Sequence, residues 1–289
     1  MVDLHIHTRN SSGTDSLEDI LKKAENKKLK VISITDNENI EIYNEIKDDE
    51  VRNLYSGKII TGTEIKTMFD GVVIDVLAYD FDPEKLKDSP IVDSKRIRLA
   101  QYDYLDNFMK VGKKLGLKFS EDIDIKTYAA QAFYDELIKH KENFEILPEL
   151  KEKKEKFFKL TQRNRKSPFY INESKDMYSI GNIINEVHKC GGKVFLAHLY
   201  QYDIDDNKHL DFAKNLFKFT NIDGMECYYP TFSKKQTEDL VNLTKEYDKC
   251  ISGGSGYHGT LREGIDMGSG DGNLNVPENI VTWVESKGI

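Results

Sequence analysis

Asp3-Leu4-His5-Ile6-His7 decides how this chain is read, because two histidines one residue apart on a strand project from the same face of a sheet. A β-scaffold presents two imidazoles to one metal ion in this way. A lone His-x-His is also met where both rings merely satisfy hydrogen bonds, so the pair takes its meaning from the residues that follow.

Downstream, Ser16 is placed to cap a helix whose apolar residues Leu17, Ile20, Leu21 and Ala24 fall at i, i+3, i+4 and i+7, and Val31-Ile32-Ser33-Ile34 follows as a buried strand. The chain thus opens strand, helix, strand. Lys58 to Thr61 and Val72 to Leu77 supply two more strands, the first after a short helical stretch around Ile42, Tyr43 and Ile46. Ile180, Ile183, Ile184 and Val187 then mark an amphipathic helix stopped by Gly191-Gly192, ahead of the strand Val194 to Ala197. Strands near Met225-Glu226-Cys227 and Cys250-Ile251 flank a helix capped by Ser233 and carrying Leu240 and Leu243. Strands alternating with helices predict a parallel sheet, open or closed into a barrel, with its site at the C-terminal strand ends.

Residues 89–175 break that rhythm, being mostly helical and strongly charged, and so divide the chain into 1–88, an insertion at 89–175, and 176–289. A helix from Arg96 to Leu115 carries Ile97, Tyr104, Phe108, Val111 and Leu115 on one stripe, with Gly116 placed to end it. Glu149 to Lys166 holds eight Lys or Arg against three Glu. That stretch reads as a solvated helix face or as a lid whose charge draws a phosphorylated substrate to an acidic protein.

A length of 289 residues suits one large α/β domain or a domain with an insertion, and a net charge of -8 argues against a general nucleic-acid-coating role. Cys190, Cys227 and Cys250 lie far apart and form neither a disulfide framework nor a zinc cluster pattern. No apolar run approaches ~18 residues and no leader pattern precedes the first strand, so a cytoplasmic protein with no membrane partner is expected. Gly268 to Asn273 lacks the lysine of a phosphate-binding loop and reads as a surface loop before a helix from Glu278 to Lys287, in which Trp283 faces the core. No Gly-x-Ser-x-Gly element supports a serine hydrolase.

Candidate ligands gather at the strand ends. His5 and His7 close the first strand, Asp36 follows the second, Glu64 follows Thr61-Gly62-Thr63, Asp75 lies in the fourth, and His198 closes the strand ending at Ala197. His258 comes just after Gly253-Gly254-Ser255-Gly256. Imidazole with carboxylate suits Mn²⁺, Fe²⁺ or Zn²⁺, and a carboxylate such as Glu64 can bridge two ions for displacement at phosphorus.

Taken together, Asp3 to Thr8, Ile34-Thr35-Asp36-Asn37, Gly62-Thr63-Glu64-Ile65, Ala197-His198 and Gly254-Ser255-Gly256-Tyr257-His258-Gly259 resemble, in order, five motifs of the PHP (polymerase and histidinol phosphatase) family. The resemblance is nearest to its small phosphoesterases that act on nucleotides and short RNA ends. It implies a distorted (β/α)7 barrel with a mainly helical insertion and up to three metal ions. One ion would be held by His5, His7, Glu64 and the residue at 256, a second by Glu64, Asp75 and His198, and a third by residues 12 and 37 with His258. The chain departs from the pattern at Ser12, Asn37 and Gly256, where the family usually has Asp, His and Asp. The third site thereby loses two of its three ligands, which leaves one or two ions.

The expectation is a metal-dependent phosphoesterase acting on a small phosphorylated or nucleotide-like substrate or a short RNA end. His5, His7, Glu64, Asp75 and His198 would hold metal, His258 and Asp36 would be catalytic, and Arg96, Arg98, Arg163 and Arg165 would contact phosphate. The alternatives are a catalytically impaired domain that binds a ligand or partner, and an RNA-end binding protein whose basic stretch faces the site.

Overall fold

The computed structural model describes residues 1–125, 128–152, 164, 166–172, 177–286 and 288. Among them seven strands make one sheet in chain order: β1 (Val2–Ile6), β2 (Val31–Ile34), β3 (Lys58–Phe69), β4 (Val72–Tyr79), β5 (Lys193–Leu196), β6 (Gly224–Tyr228) and β7 (Cys250–Gly253). The longer helices are α1 (Leu17–Asn26), α2 (Ser94–Leu115), α3 (Ala129–Leu137), α4 (Ile180–Lys189), α5 (His209–Phe219) and α6 (Lys234–Glu246). Past β7, Tyr257 bridges back to Ile6, and the His7 N–H donates to the Tyr257 carbonyl at 2.9 Å. The sheet therefore curls so that the segment after β7 reaches back to β1.

The expected all-parallel order does not hold. β3 runs eight residues beyond Thr61 and folds back on β4, from Phe69↔Val72 to Gly62↔Tyr79, and β4 also pairs antiparallel with β5. Asp70 (φ +48°) and Gly71 (φ +76°) make the reversal, both central residues adopting the positive φ that a tight hairpin turn requires. Asp-Gly between two apolar runs is a hairpin signal in its own right, and here it outranks the strand–helix rhythm.

The chain divides into two compact units, one of Met1–Asp93 with Asp176–Ile289 and the other of Ser94–Lys175. In the first, Ser16 caps α1 through a capping box with Asp19, and Ser233 caps α6 through one with Gln236. Leu17, Ile20, Leu21 and Ala24 of α1 and Ile180, Ile183, Ile184 and Val187 of α4 are buried against the sheet core. Ile91 and Val92 belong to that core as well, and the second unit begins at Ser94. α5 was not anticipated, although Phe212, Ala213, Leu216 and Phe217 bury one helical face.

The second unit has a core of its own, built from Leu105, Phe108, Phe133, Leu137 and Phe169. The buried stripe of α2 is Leu105, Phe108 and Gly112 rather than one ending in Leu115, which is 40% exposed. A Cβ at position 112 would meet Phe119 and Phe133 at 2.8 and 3.0 Å, so a larger residue could not stay in that stripe. Gly116 ends α2 with φ +80°.

The C-terminal stretch differs from expectation too. Among the described residues of this stretch only Glu278–Trp283 is helical, as tight 3₁₀ turns, with Trp283 buried against Phe195 and Tyr79. The glycine-rich segment before it is not a plain surface loop, since Met267, Gly268 and Gly270 are buried and the Gly268 N–H donates to Asp3 at 2.7 Å. No helix among the described residues is long and apolar enough to cross a membrane.

Candidate metal centre

Five strands and two loops deliver the polar groups of the centre. β1 carries His5, and His7 follows its end by one residue; both are buried, and the pairing of β1 with β2 is irregular between Asp3 and Ile6. Glu64 stands in β3 and Asp75 in β4, while His198 follows the end of β5 by two residues. Glu226 lies in β6 and is completely buried.

His5, Glu64 and His198 each offer one ligand atom, and the three atoms lie within 4.8 Å of one another. Glu64 Oε1 is 3.1 Å from His198 Nε2 and 3.6 Å from His5 Nε2, and its Oε2 is 3.4 Å from His7 Nε2. Asp75 Oδ2 stands 3.9 Å from His198 Nε2. All five expected metal ligands lie near one another, with His5 Nε2 also 3.2 Å from His7 Nε2, and the trio within 4.8 Å takes His5 from the first implied ion site and His198 from the second. Glu64 is common to both.

Glu226 was not anticipated as part of the centre. Its Oε1 accepts from His5 Nδ1 at 3.0 Å and its Oε2 from the His198 backbone N–H at 2.9 Å, which aims His5 Nε2 at Glu64. A carboxylate in the middle of an apolar strand, Met225-Glu226-Cys227, was the available signal, because a buried charge requires a partner.

The charges follow from this packing. Burial disfavours a proton on His5, yet Glu226 and Glu64 outweigh it and raise the group to about 10, so His5 is an imidazolium that holds the carboxylates together. Burial alone would raise Glu64, but the His5 charge and the His198 hydrogen bond keep it well below the usual carboxylate range. His7 is pushed well down by burial and by its neighbour His258.

The place of the implied third ion is closed by hydrogen bonds. Ser12 Oγ donates to Asn37 Oδ1 at 2.8 Å, and Asn37 Nδ2 donates to Glu64 Oε2 at 2.9 Å. His258 stacks on His7 with ring centroids 4.2 Å apart and places Nδ1 3.0 Å from the Ser12 carbonyl. Burial lowers His258 to about 4, which leaves it a neutral ring with its proton on Nδ1 and a lone pair on Nε2.

Asp36 is occupied otherwise. Its carboxylate accepts from the Thr8 N–H at 2.8 Å, Thr8 Oγ1 at 2.6 Å and Ser11 Oγ at 2.5 Å, holding the loop that follows β1. Asp3 anchors a second loop through the Ser255 N–H at 2.9 Å and Ser255 Oγ at 2.6 Å. Arg96 and Arg98 lie in the first two turns of α2, in the other unit, and Arg163 and Arg165 lie outside the described residues.

The donors suit a borderline divalent cation: neutralisable imidazole and carboxylate, converging in a buried space, with the far nitrogen of His5 fixed by a carboxylate. Fold and centre together define an α/β protein with a histidine–carboxylate cluster at the strand ends. The model of the PHP domain family matches residues 3–256, and the chain belongs to that family, as its five motifs led one to expect.

A 5′-3′ exoribonuclease of Haemophilus influenzae is 25% identical over 265 residues, 89% of this chain and 89% of that protein. A presumed metal-dependent phosphoesterase of Bifidobacterium adolescentis superposes with a TM-score of 0.71 at 20% identity, covering 100% of this chain and 96% of its own. An amidohydrolase of Chromobacterium violaceum, solved with bound sulfate and no metal, superposes with a TM-score of 0.70 at 16% identity, covering 96% and 92%. At such identities the two structures bear on the fold alone.

Proposed function

We propose that this protein is a PHP-type phosphoesterase that hydrolyses a small phosphorylated or nucleotide-like substrate with one or two divalent ions. The curled sheet is read as a distorted (β/α)7 barrel interrupted by residues 89–175. The observation that carries the proposal is the convergence of His5, Glu64 and His198 within 4.8 Å in a centre where Glu226 fixes His5. The name of the Haemophilus relative supports a nucleotide or RNA end as substrate.

His5, His7, Glu64, Asp75 and His198 would hold the cation, Mn²⁺, Zn²⁺ or Fe²⁺, which when bound polarises phosphoryl oxygens and makes water a nucleophile near neutral pH. Glu226 orients His5 and the His198 backbone. With a lone pair on Nε2, His258 serves as a proton acceptor rather than as the acid for a leaving group. Asp36 acts through the Thr8–Ser11 loop that carries Ser12 to its place.

The Ser12–Asn37–Glu64 chain favours a second reading, a binding module that has given up turnover, because it spends one oxygen of Glu64 on an amide. Phosphate release from nucleoside bisphosphates, monophosphates and short 5′-phosphorylated RNAs separates the two. The hydrolytic proposal expects metal-dependent release that chelation abolishes and that Glu64→Gln lowers by about 100-fold or more. A metal-loaded parent inert on the whole panel would establish the binding module.

A further inference from the structure

Position 256 is a glycine with φ +56°, and the space its side chain would enter is already filled. A Cβ there would meet Arg262 Nη1 at 2.6 Å and Tyr229 Oη at 2.7 Å. Arg262 Nη1 donates to Tyr229 Oη at 2.5 Å and to the Gly256 carbonyl at 3.1 Å, and its guanidinium lies 5.0 Å from the centre of the Tyr229 ring. The same ring is 5.4 Å from the ring of His198 and 6.0 Å from that of His5. Tyr229, 7% exposed, thus joins a guanidinium on one side to two metal-ligating imidazoles on the other.

We infer that Arg262, held by Tyr229 in the space of the missing acidic side chain at 256, is the phosphate-binding residue of this centre. Among the described residues, Arg262 forms no ion pair with a carboxylate, and its Nε and Nη2 make no hydrogen bond. A half-buried cation with one edge anchored and the other donors unused is arranged to receive two oxygens of one phosphate in a forked geometry. Lysine could supply the charge but not the fork. Replacing an acidic side chain by this guanidinium also exchanges a group that attracts cations for one that attracts anions, so the glycine and the arginine act as a single change. The inference rests on the phosphoesterase reading for its ligand, a phosphate group, and not for its geometry.

The test is isothermal titration of the metal-loaded full chain with inorganic phosphate, with adenosine 5′-monophosphate and with adenosine. The parent should bind both phosphate-bearing ligands and not adenosine at comparable concentration. Arg262→Met should weaken phosphate binding by about 10- to 100-fold with metal content unchanged. Arg262→Lys, which keeps the charge and guards against a folding defect, should fall between the two. Tyr229→Phe should weaken binding several-fold by freeing the guanidinium. Equal phosphate affinity in the parent and in folded Arg262→Met and Arg262→Lys would overturn the inference, as would a parent that binds no phosphate. A parent that binds phosphate through Arg262 and releases none from any ester would uphold the inference while ending the hydrolytic reading.

Discussion

His5 Nδ1 donates to Glu226 Oε1 at 3.0 Å, tying the first strand of the sheet to the sixth across 221 residues of chain. Glu226→Gln keeps the shape and removes the charge that stabilises the imidazolium and orients the ring. Metal affinity should fall by about 10- to 100-fold in a folded protein, read by metal content after dialysis and by titration with Mn²⁺ or Zn²⁺. An unchanged affinity would show that Glu226 serves packing alone.

Because His5 is protonated up to about 10 in the metal-free centre, a cation has to displace that proton. Apparent metal affinity should therefore rise with pH, by up to about 10-fold per unit between pH 6.5 and 9. Titration in buffers of different ionisation enthalpy should give close to one proton released. The sign for folding is the reverse: the imidazolium stabilises metal-free protein fully below about 6.5 and loses that contribution as pH rises toward 10. Urea unfolding in chelator at pH 6.5 and 9 measures it.

Ser12 and Asn37 close the third ion's place through two hydrogen bonds that end on Glu64. Changing Ser12→Asp together with Asn37→His restores a carboxylate and an imidazole beside His258. The variant should bind at least one further equivalent of Mn²⁺ or Zn²⁺, counted by elemental analysis, and hydrolyse a generic phosphoester faster. Parental stoichiometry and rate in a folded variant would mean that residues 12, 37 and 258 do not form one site.

Asp3 is the counterpart case, a buried carboxylate engaged by Ser255, Gly268 and the His5 backbone N–H rather than by any imidazole of the centre. Asp3→Asn should cost about 3 kcal/mol of stability, since an amide donor replaces one acceptor facing buried N–H groups. Once the variant is folded, its metal content should match that of the parent. Denaturant midpoints and metal analysis on the same samples separate the two effects.

Local signals were legible wherever chemistry and pattern act within a few residues. Ser16 and Ser233 each cap the helix that their sequence announces, and His5, Glu64 and His198, expected at separate strand ends, lie together. What escaped depends on partners distant in sequence or on competing local signals. Glu226 means little until His5 stands beside it, and Arg262 means little without Gly256 and Tyr229. The Asp70-Gly71 turn is a local signal that contradicts the strand–helix rhythm around it, and the hairpin prevails. Gly112 shows the same limit inside α2, where Phe119 and Phe133 require a glycine in the stripe begun by Leu105 and Phe108.

The antiparallel pairing of β4 with β5 has a further consequence. Tyr79 and Lys193 are ladder partners, so the chain leaves the sheet and rejoins it at neighbouring points. In topological terms everything between them is the loop of a single hairpin, grown to the size of a domain. Lengthening such a loop raises its closure entropy only logarithmically, by about 0.6 kcal/mol per doubling. Ile91, Val92 and α4 belong to the sheet core, so the part of that loop that can be exchanged, trimmed or enlarged without rewriting the strand ladder that carries the histidines is Ser94–Lys175, which has a core of its own.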